Sequence, residues 1–345
     1  MAGLEFLYLD HETVTGLLPE PARCIEIVGG GLAAHGRGDV VLPPKAHIQL
    51  DDRFNGHFNI LPGYAGNVGM AGVKVIGDYV DNHARGLPSE IALLLLSDPA
   101  TGVPAALMDA TRLTWLRTGA VTAIGARHLA RPDSAVVGHL GARGTALANL
   151  LMLAALFPLR EIRINSARPE TREALAREVT ARTGIVARPV ATAREAVEGA
   201  DIVVEATRLC RPTVLVEEAW LKPGACLVAY GWVMALDPRL PFAVDKLVVD
   251  DWAQCQVGGQ LHPLIADGRL TGRHVYGEIG RIVAGFLPGR TSSAERTLFW
   301  HRGFAISDIV LGHHVLEQAR AKGLGTPLAL WRNSPEDGRG GMPGA

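Results

Sequence analysis

Three glycines recur at every third position in the segment VVGHLGARGTALANLLML, between a short apolar run and a helix-like run. Gly138, Gly141 and Gly144 would let backbone N–H groups approach a phosphate at the positive end of a helix, as a dinucleotide requires. The usual fingerprint is G-x-G-x-x-G, whereas this turn is G-x-x-G-x-x-G, so an ordinary tight turn is the alternative. The surrounding elements must decide between the two.

Lys74 is the one charged residue in the strand-like segment AGVKVIG. A buried ammonium is costly unless it is paired, and its pKa moves readily toward neutrality. Such a lysine can hold a carboxylate or donate a proton. A lysine on the solvated face of an edge strand is the alternative, and the pattern alone favours it.

The residues that follow the second predicted strand bear on the choice of cofactor. An NAD enzyme usually places Asp or Glu there to bind the ribose 2′-OH, but this sequence has Ser166, Ala167 and Arg168. Ser166 and Arg168 can hold a 2′-phosphate through charge-assisted hydrogen bonds. A solvated Arg168 is the alternative. The sequence predicts NADP, with NAD as the other option.

From residue 134 onward, short β-branched runs alternate with helical segments, and the glycine turn follows the first of these strands. This alternation predicts an α/β fold with right-handed crossovers and a doubly wound parallel sheet, that is, a Rossmann domain. The first ~110 residues carry turn-rich segments between strands and predict a separate α+β domain. The predicted strands of the Rossmann domain are 135–140, 161–165, 186–190, 201–207, 225–231 and 246–250, and the predicted helices are 145–157, 169–183 and 193–198, with 305–322 nearer the C terminus.

Composition argues against several classes of function. The 345 residues carry a net charge of −1, so no basic excess favours nucleic acid. The apolar stretch 150–157 is far shorter than the ~20 residues of a membrane span, and residues 1–10 lack the basic and apolar regions of a signal peptide. The four cysteines are scattered singly, without metal or disulfide spacing. We expect a cytoplasmic enzyme with no metal, no nucleic-acid partner and no membrane contact.

Nearly the whole chain is spanned by four segments: AGVKVIG (71–77), LSDPATGVPAALMDATRLTWLRTGAVTAIGARHLARPDS (96–134), DIVVEAT (201–207) and RGFAISDI (302–309). They resemble the ornithine cyclodeaminase/μ-crystallin family of NAD(P)-dependent enzymes. The resemblance implies a homodimer and an active site in a cleft between two domains. It places a substrate-binding and dimerisation domain at 1–115, completed by 295–330, and a Rossmann NAD(P)-binding domain at 116–294. Residues 335–345, rich in Gly and Pro, are predicted to be a disordered tail.

The resemblance also implies roles for single residues. Lys45 and Arg117 match basic residues that bind the substrate carboxylate, and Lys74 joins them as a carboxylate ligand and catalytic group. Asp308 matches a late acid that orients a basic side chain, and His57 resembles a substrate contact. A surface position is the alternative for Arg117 and Asp308, and a structural loop histidine for His57.

The cofactor site is predicted partly from the glycine turn and partly from the resemblance. Thr118 matches a residue that touches the cofactor phosphate, and two predicted residues end strands at the carboxyl edge of the sheet, where dinucleotides lie. The predicted cofactor-binding residues are Thr118, Gly138, Gly141, Ala142, Arg143, Ser166, Arg168, Thr207 and Gly231.

Three further segments, VIGDYVDN (75–82), DKLVVDDWAQC (245–255) and AGFLPGR (284–290), are most similar to the branch that includes N-(2-amino-2-carboxyethyl)-L-glutamate dehydrogenase. That branch implies an NAD(P)-dependent oxidoreductase that cleaves the C–N bond of a secondary-amine amino acid and releases 2,3-diaminopropionate and 2-oxoglutarate. The alternatives are a ketimine or cyclic imine reductase, an ornithine cyclodeaminase-like lyase, and a non-catalytic NADPH-binding protein. The apolar Val233 stands where cyclodeaminases carry an Asp for ring closure, which argues against the lyase.

Overall fold

A computed structural model describes residues 3–50 and 53–332, which form two eight-stranded sheets and the helices packed on them. The predicted tail 335–345 lies outside the described residues. The strands are β1 (Leu4–Leu9), β2 (Val40–Val41), β3 (Ala46–Gln49), β4 (Gly56–Ala65), β5 (Met70–Tyr79), β6 (Glu90–Ser97), β7 (Pro104–Asp109), β8 (Val136–Leu140), β9 (Glu161–Asn165), β10 (Val186–Pro189), β11 (Ile202–Glu205), β12 (Cys226–Ala229), β13 (Lys246–Val249), β14 (Gly277–Glu278), β15 (Thr297–Trp300) and β16 (Thr326–Trp331). The helices are α1 (His11–Leu17), α2 (Pro21–Arg37), α3 (Thr111–Leu129), α4 (Ala146–Ala154), α5 (Pro169–Thr183), α6 (Ala193–Val197), α7 (Leu240–Ala243), α8 (Trp252–Cys255), α9 (His262–Ala266), α10 (Ile279–Val283) and α11 (Ala305–Lys322), with 3₁₀ turns at Val80–Arg85, Glu218–Trp220 and Gly272–His274.

The first sheet has the order β16-β1-β7-β6-β5-β4-β2, with β3 also paired to β4. Its neighbouring strands are antiparallel except for β1 and β7. Side chains alternate between the two faces of a strand, so Lys74 and Ile76 on β5 are buried while Val75 between them is exposed. Helix α11 covers the buried face by packing on β4, β5 and β6.

The second sheet is wholly parallel, in the order β10-β9-β8-β11-β12-β15-β13-β14. Helices follow most of its strands, and the chain proceeds outward in both directions from β8 and β11. This confirms the predicted fold class, a Rossmann-type doubly wound sheet beside an α+β domain. The carboxyl ends of the parallel strands meet at one edge, where ligands of such sheets bind.

Two predicted domain boundaries differ from the structure. Strand β15 lies between β12 and β13 in the second sheet, so the return to the first domain begins after residue 300 and not at residue 295. All residues of β15 are buried, and this pattern fits a strand of either sheet. Only its parallel pairing with β12 and β13 assigns β15 to the second sheet. Helix α3 runs through the boundary predicted at 115/116 and packs on elements of both domains.

Within the described part of the chain, every helix is too short or too polar to cross a lipid bilayer.

Candidate active site

A buried cluster of three charged residues joins segments that lie far apart along the chain. The Lys74 Nζ atom donates hydrogen bonds to Asp308 Oδ1 at 2.7 Å and to Thr114 Oγ1 at 3.1 Å. Arg117 Nε donates to the same Asp308 oxygen at 2.9 Å. Lys74 and Asp308 are fully buried and Arg117 nearly so. The structure thus brings together three predicted site residues, and it excludes the solvated edge strand as the position of Lys74.

Local sequence explains why these side chains can meet. Asp308 lies in the first turn of α11, which crosses the sheet beside Lys74. Gly63 on β4 and Gly72 on β5 let the helix approach closely, because an added Cβ at either position would lie 3.1 Å from an α11 side-chain carbon. Arg117 extends from α3, the helix shared by both domains.

The cluster has the electrostatic properties of a proton-transfer site. Burial first, and then the charge of Arg117, lower the pKa of Lys74 to about 8, although Asp308 opposes both effects. A lysine with such a pKa can exchange a proton near neutral pH. Among the described residues, the Arg117 guanidinium uses only its Nε–H in a hydrogen bond, so its two amino groups can bind a carboxylate in bidentate fashion.

Lys45 lies immediately before β3, and its Nζ donates to the carbonyl oxygen of Arg302 at 2.7 Å. Its pKa is well below the usual value because of burial first, and then because of the charges of Arg302, Arg117 and Lys74. The predicted substrate contact His57, on β4, stacks on Trp232 with ring centroids 6.0 Å apart. Lys45 is therefore near the charged cluster, and His57 lies beside Trp232.

The predicted phosphate turn follows β8, a central strand of the second sheet. Gly141 has a φ of +101°, and an added Cβ there would lie 2.6 Å from the carbonyl oxygen of Ala206. At Gly138 the corresponding atom would lie 2.1 Å from the carbonyl oxygen of Ala196. Both positions therefore require glycine, and Gly144 also adopts a positive φ, of +57°. Helix α4 begins directly after the turn, as a dinucleotide site needs.

A buried polar network fixes this turn. His139 Nδ1 contacts the carbonyl oxygen of Gly141 at 2.8 Å, and its Nε2 lies 3.0 Å from Asn149 Nδ2. Asn149 also donates to the Tyr230 hydroxyl, which shares a hydrogen bond with Thr145 at 2.6 Å. Burial lowers the pKa of His139 to about 4, so the network is uncharged at physiological pH. It holds the turn through neutral hydrogen bonds.

Glu205 is a site residue that the sequence predictions missed. It is fully buried at the end of β11, where burial raises its pKa. Its carboxylate accepts hydrogen bonds from Thr207 N, Gly231 N and Gln260 Nε2. It thereby ties together two predicted cofactor residues at the carboxyl edge of the sheet. The glutamate inside the apolar strand DIVVEAT was the signal that could have identified it.

The remaining predicted cofactor residues are Thr118, Ala142, Arg143, Ser166 and Arg168. Arg143, beside Ala142 in the turn, and Arg168, the N-cap residue of α5, are exposed, and neither has an ion pair among the residues the structure covers. The Ser166 hydroxyl donates to the Arg168 carbonyl oxygen at 3.0 Å. The Thr118 hydroxyl donates to the Thr114 carbonyl oxygen within α3, so both hydroxyls keep only acceptor lone pairs free.

One group of described side chains has metal-ligand types: His35, Asp251 and Glu278, whose ligand atoms lie within 4.8 Å of one another. His35 Nε2 is 3.1 Å from Asp251 Oδ2, and this contact joins the end of α2 to the start of α8. The other carboxylate oxygen of Asp251 caps α8 by accepting from Gln254 N. The geometry is that of an interdomain ion pair.

Comparison with known proteins agrees with the fold. Residues 9–323 match the ornithine cyclodeaminase/mu-crystallin family. The chain is 29% identical to N-((2S)-2-amino-2-carboxyethyl)-L-glutamate dehydrogenase of Staphylococcus aureus, covering 95% of this chain and 99% of that protein. It superposes on Thermococcus litoralis Δ1-pyrroline-2-carboxylate reductase in complex with NADH and L-proline with a TM-score of 0.87, at 30% identity over 93% of this chain and 99% of that one. An archaeal alanine dehydrogenase dimer with bound NAD gives a TM-score of 0.88, at 30% identity over 95% and 100% of the two chains. Because the identities to these proteins are nearly equal, they do not show which branch of the family this chain resembles most.

Proposed function

We propose, on the premise that this chain belongs to the ornithine cyclodeaminase/mu-crystallin family, that it is an NAD(P)-dependent oxidoreductase acting on the C–N bond of an amino or imino acid. The observation that carries the proposal is the buried Lys74–Asp308–Arg117 cluster, in which a lysine of lowered pKa and a carboxylate-binding arginine share one acid. The finer proposal is a secondary-amine substrate of the type that the staphylococcal relative is named for.

The glycine turn fits a nicotinamide dinucleotide. At Gly138 and Gly141 a side chain would collide with the backbone of neighbouring segments, so both positions require glycine, and Gly141 leaves bare backbone in the turn before α4. The pyrophosphate would lie on this turn, with Arg143 beside it, and Thr207 and Gly231 would line the nicotinamide end of the site. When bound, the cofactor accepts or donates the hydride.

The protein's own residues would bind the substrate and handle its protons. Arg117, held by Asp308, would bind the α-carboxylate, with Lys45 adding positive charge. Lys74 donates two of its three N–H groups to Thr114 and Asp308, which leaves the third for the substrate nitrogen. Oxidation requires that nitrogen to lose a proton, and neutral Lys74 is placed to accept it. Protonated Lys74 would return the proton in the reductive direction.

A screen of substrates tests the proposal. Oxidation of NADH and NADPH would be followed with oxo acids plus amines and with cyclic imines, and reduction of NAD and NADP with amino acids that include N-(2-amino-2-carboxyethyl)-L-glutamate. We expect turnover with substrates of this class. Ornithine with catalytic NAD should give no proline, because the apolar Val233 cannot serve as the ring-closing base. Cofactor binding with no turnover on any of them would contradict the proposal and favour a binding protein.

For the cofactor we propose NADP. Arg168 is exposed at the N-cap of α5, beside the end of β9, where it can reach a 2′-phosphate. Replacing Arg168 with alanine should weaken NADPH binding by about 1–3 kcal/mol, the range for a charged hydrogen bond, and leave NADH binding almost unchanged. Fluorescence titration of both cofactors measures this, with Arg182→Ala at the far end of the same helix as the control. Equal losses for NADH and NADPH would refute the assignment.

We also propose a homodimer formed through the open face of the first sheet. Val75, Ile91 and Leu93 lie on that face and are each more than 40% exposed, and contiguous apolar surface of this kind marks an interface. Light scattering should give twice the chain mass of 36.7 kDa at micromolar concentration. Leu93→Glu should shift the protein toward monomer, because it would place a charge at the centre of the buried face. A monomeric wild-type protein would overturn this proposal.

A further inference from the structure

Arg302 lies at the rim of the cleft and was not among the predicted site residues. Its guanidinium stacks over the ring of Trp232 at 4.8 Å from the centroid. One amino group donates to the Gln254 carbonyl oxygen at 3.2 Å, and the other lies 3.4 Å from His47 Nε2. His47, on β3, has a pKa lowered to about 4 by burial and by the charges of Lys45 and Arg302, so it is neutral and can accept from the arginine.

These contacts hold the guanidinium in place and leave much of its binding capacity unused. An arginine has five N–H groups, and two of them are engaged by Gln254 and His47. Within residues 3–50 and 53–332 Arg302 forms no ion pair, although it is largely buried. Three of its N–H groups therefore have no hydrogen-bond partner among the described residues, and guanidinium N–H groups can bind a carboxylate in bidentate fashion.

The carboxylates near the cleft are already occupied. Asp308 is shared by Lys74 and Arg117. Asp250 is buried and accepts hydrogen bonds from the backbone N–H groups of Arg302 and Gly303. Two others, Asp78 and Glu90, form ion pairs with Arg208.

The remaining charges leave the cleft positive. Five cations, Lys45, Lys74, Arg117, Arg208 and Arg302, lie near four acids, Asp78, Glu90, Asp250 and Asp308.

We infer that Arg302, positioned by Trp232 and His47, forms a subsite for a second carboxylate, so that the substrate is an amino or imino acid with at least two carboxylates. The inference rests on the proposed function and narrows its substrate class. In this arrangement Arg117 binds the α-carboxylate next to Lys74, and Arg302 binds the carboxylate at the other end of the substrate. Trp232 covers the carbon chain between them.

Binding of two oxo acids tests the subsite without requiring turnover. Calorimetry in the presence of saturating NADPH would compare 2-oxoglutarate, which has two carboxylates, with pyruvate, which has one. We expect wild type to bind 2-oxoglutarate at least tenfold more tightly. Arg302→Met should weaken 2-oxoglutarate roughly 10–100-fold, the range for losing a charged hydrogen bond, and change pyruvate less than about threefold. Arg302→Lys should recover part of the lost 2-oxoglutarate affinity, because it restores the positive charge but not the bidentate geometry of the guanidinium.

Arg239→Met is the matched control, since Arg239 is exposed on the Rossmann domain and paired only with Asp237. Equal losses for both oxo acids in Arg302→Met, a comparable loss of NADPH affinity, or no preference for 2-oxoglutarate in the wild type would overturn the inference. Failure of the proposed function looks different. In that case 2-oxoglutarate would still bind selectively, but no amine would support oxidation of NADPH.

Discussion

Replacing Lys74 with methionine is expected to lower kcat/KM by about 10²–10⁴-fold, the range for a lost general acid or base, while the protein stays folded. Methionine matches the length of the lysine side chain and suits an apolar environment. Asp308 keeps Arg117 as its partner in this variant, so no buried carboxylate is left unpaired. Cofactor titration should therefore be almost unchanged, and the loss should appear in the chemical step.

The pH dependence distinguishes a proton-transferring lysine from one that only fills space. Because the pKa of Lys74 is lowered to about 8, the ammonium form predominates at neutral pH and the amine form above that value. The reductive reaction, which uses the ammonium as donor, should slow as the pH rises through about 8, and the oxidative reaction should become faster. Lys74→Met should lack this limb of both profiles.

Lys246→Met serves as the control for removing a buried lysine. Lys246 is buried on β13, donates to the Gly289 carbonyl oxygen at 2.6 Å and pairs with Glu295, but it lies outside the cleft. The Lys246→Met variant should lose stability but keep the pH dependence of the wild-type reaction. Near-wild-type kinetics in Lys74→Met would show that the catalytic group is elsewhere.

Replacing Asp308 with asparagine should reduce stability as well as activity. The change leaves Lys74 and Arg117 as two buried cations without their shared acid, and breaking a buried ion pair costs about 3–5 kcal/mol. We expect the lower end, about 3 kcal/mol, because Lys74 can release its proton and so reduce the repulsion. With an unfolding entropy of about 2.1 cal/mol/K per residue, the expected fall in Tm is roughly 4 °C.

Two measurements identify the cause of that loss. The pKa of Lys74 should fall further in Asp308→Asn, so the folded variant binds fewer protons than its unfolded chain and gains stability with rising pH. Its deficit relative to wild type should therefore shrink as the pH rises toward about 8. In a double-mutant cycle, Asp308→Asn should cost less in the Lys74→Met background, where one of the two cations is gone. Equal costs in both backgrounds would show that the two charges are not coupled.

The sequence alone determined the elements whose signals are local. Pro169 at the start of a helical pattern and the glycine that follows it at 184 bounded α5 at the residues observed, because cap signals act within one turn. The alternation of β-branched and helical runs also specified a parallel sheet, because parallel neighbouring strands are joined by crossover helices. The glycine turn was correctly placed after a strand. Position 141 accepts only glycine, because a side chain there would collide with the Ala206 carbonyl oxygen.

Only the tertiary structure decided which residues share the site. Lys74 and Asp308 are 234 positions apart, and the pattern alone favoured a solvated edge for Lys74 over a paired core position. Burial beneath α11 selected the second. Strand β15 has a sequence that fits either sheet, and parallel pairing with β12 and β13 assigned it. Arg302 gave almost no local signal, because its role depends on Trp232 and His47, which lie far away along the chain. Glu205 stood out locally as a glutamate inside an apolar strand, but only the fold brings Gly231 and Gln260 to its carboxylate.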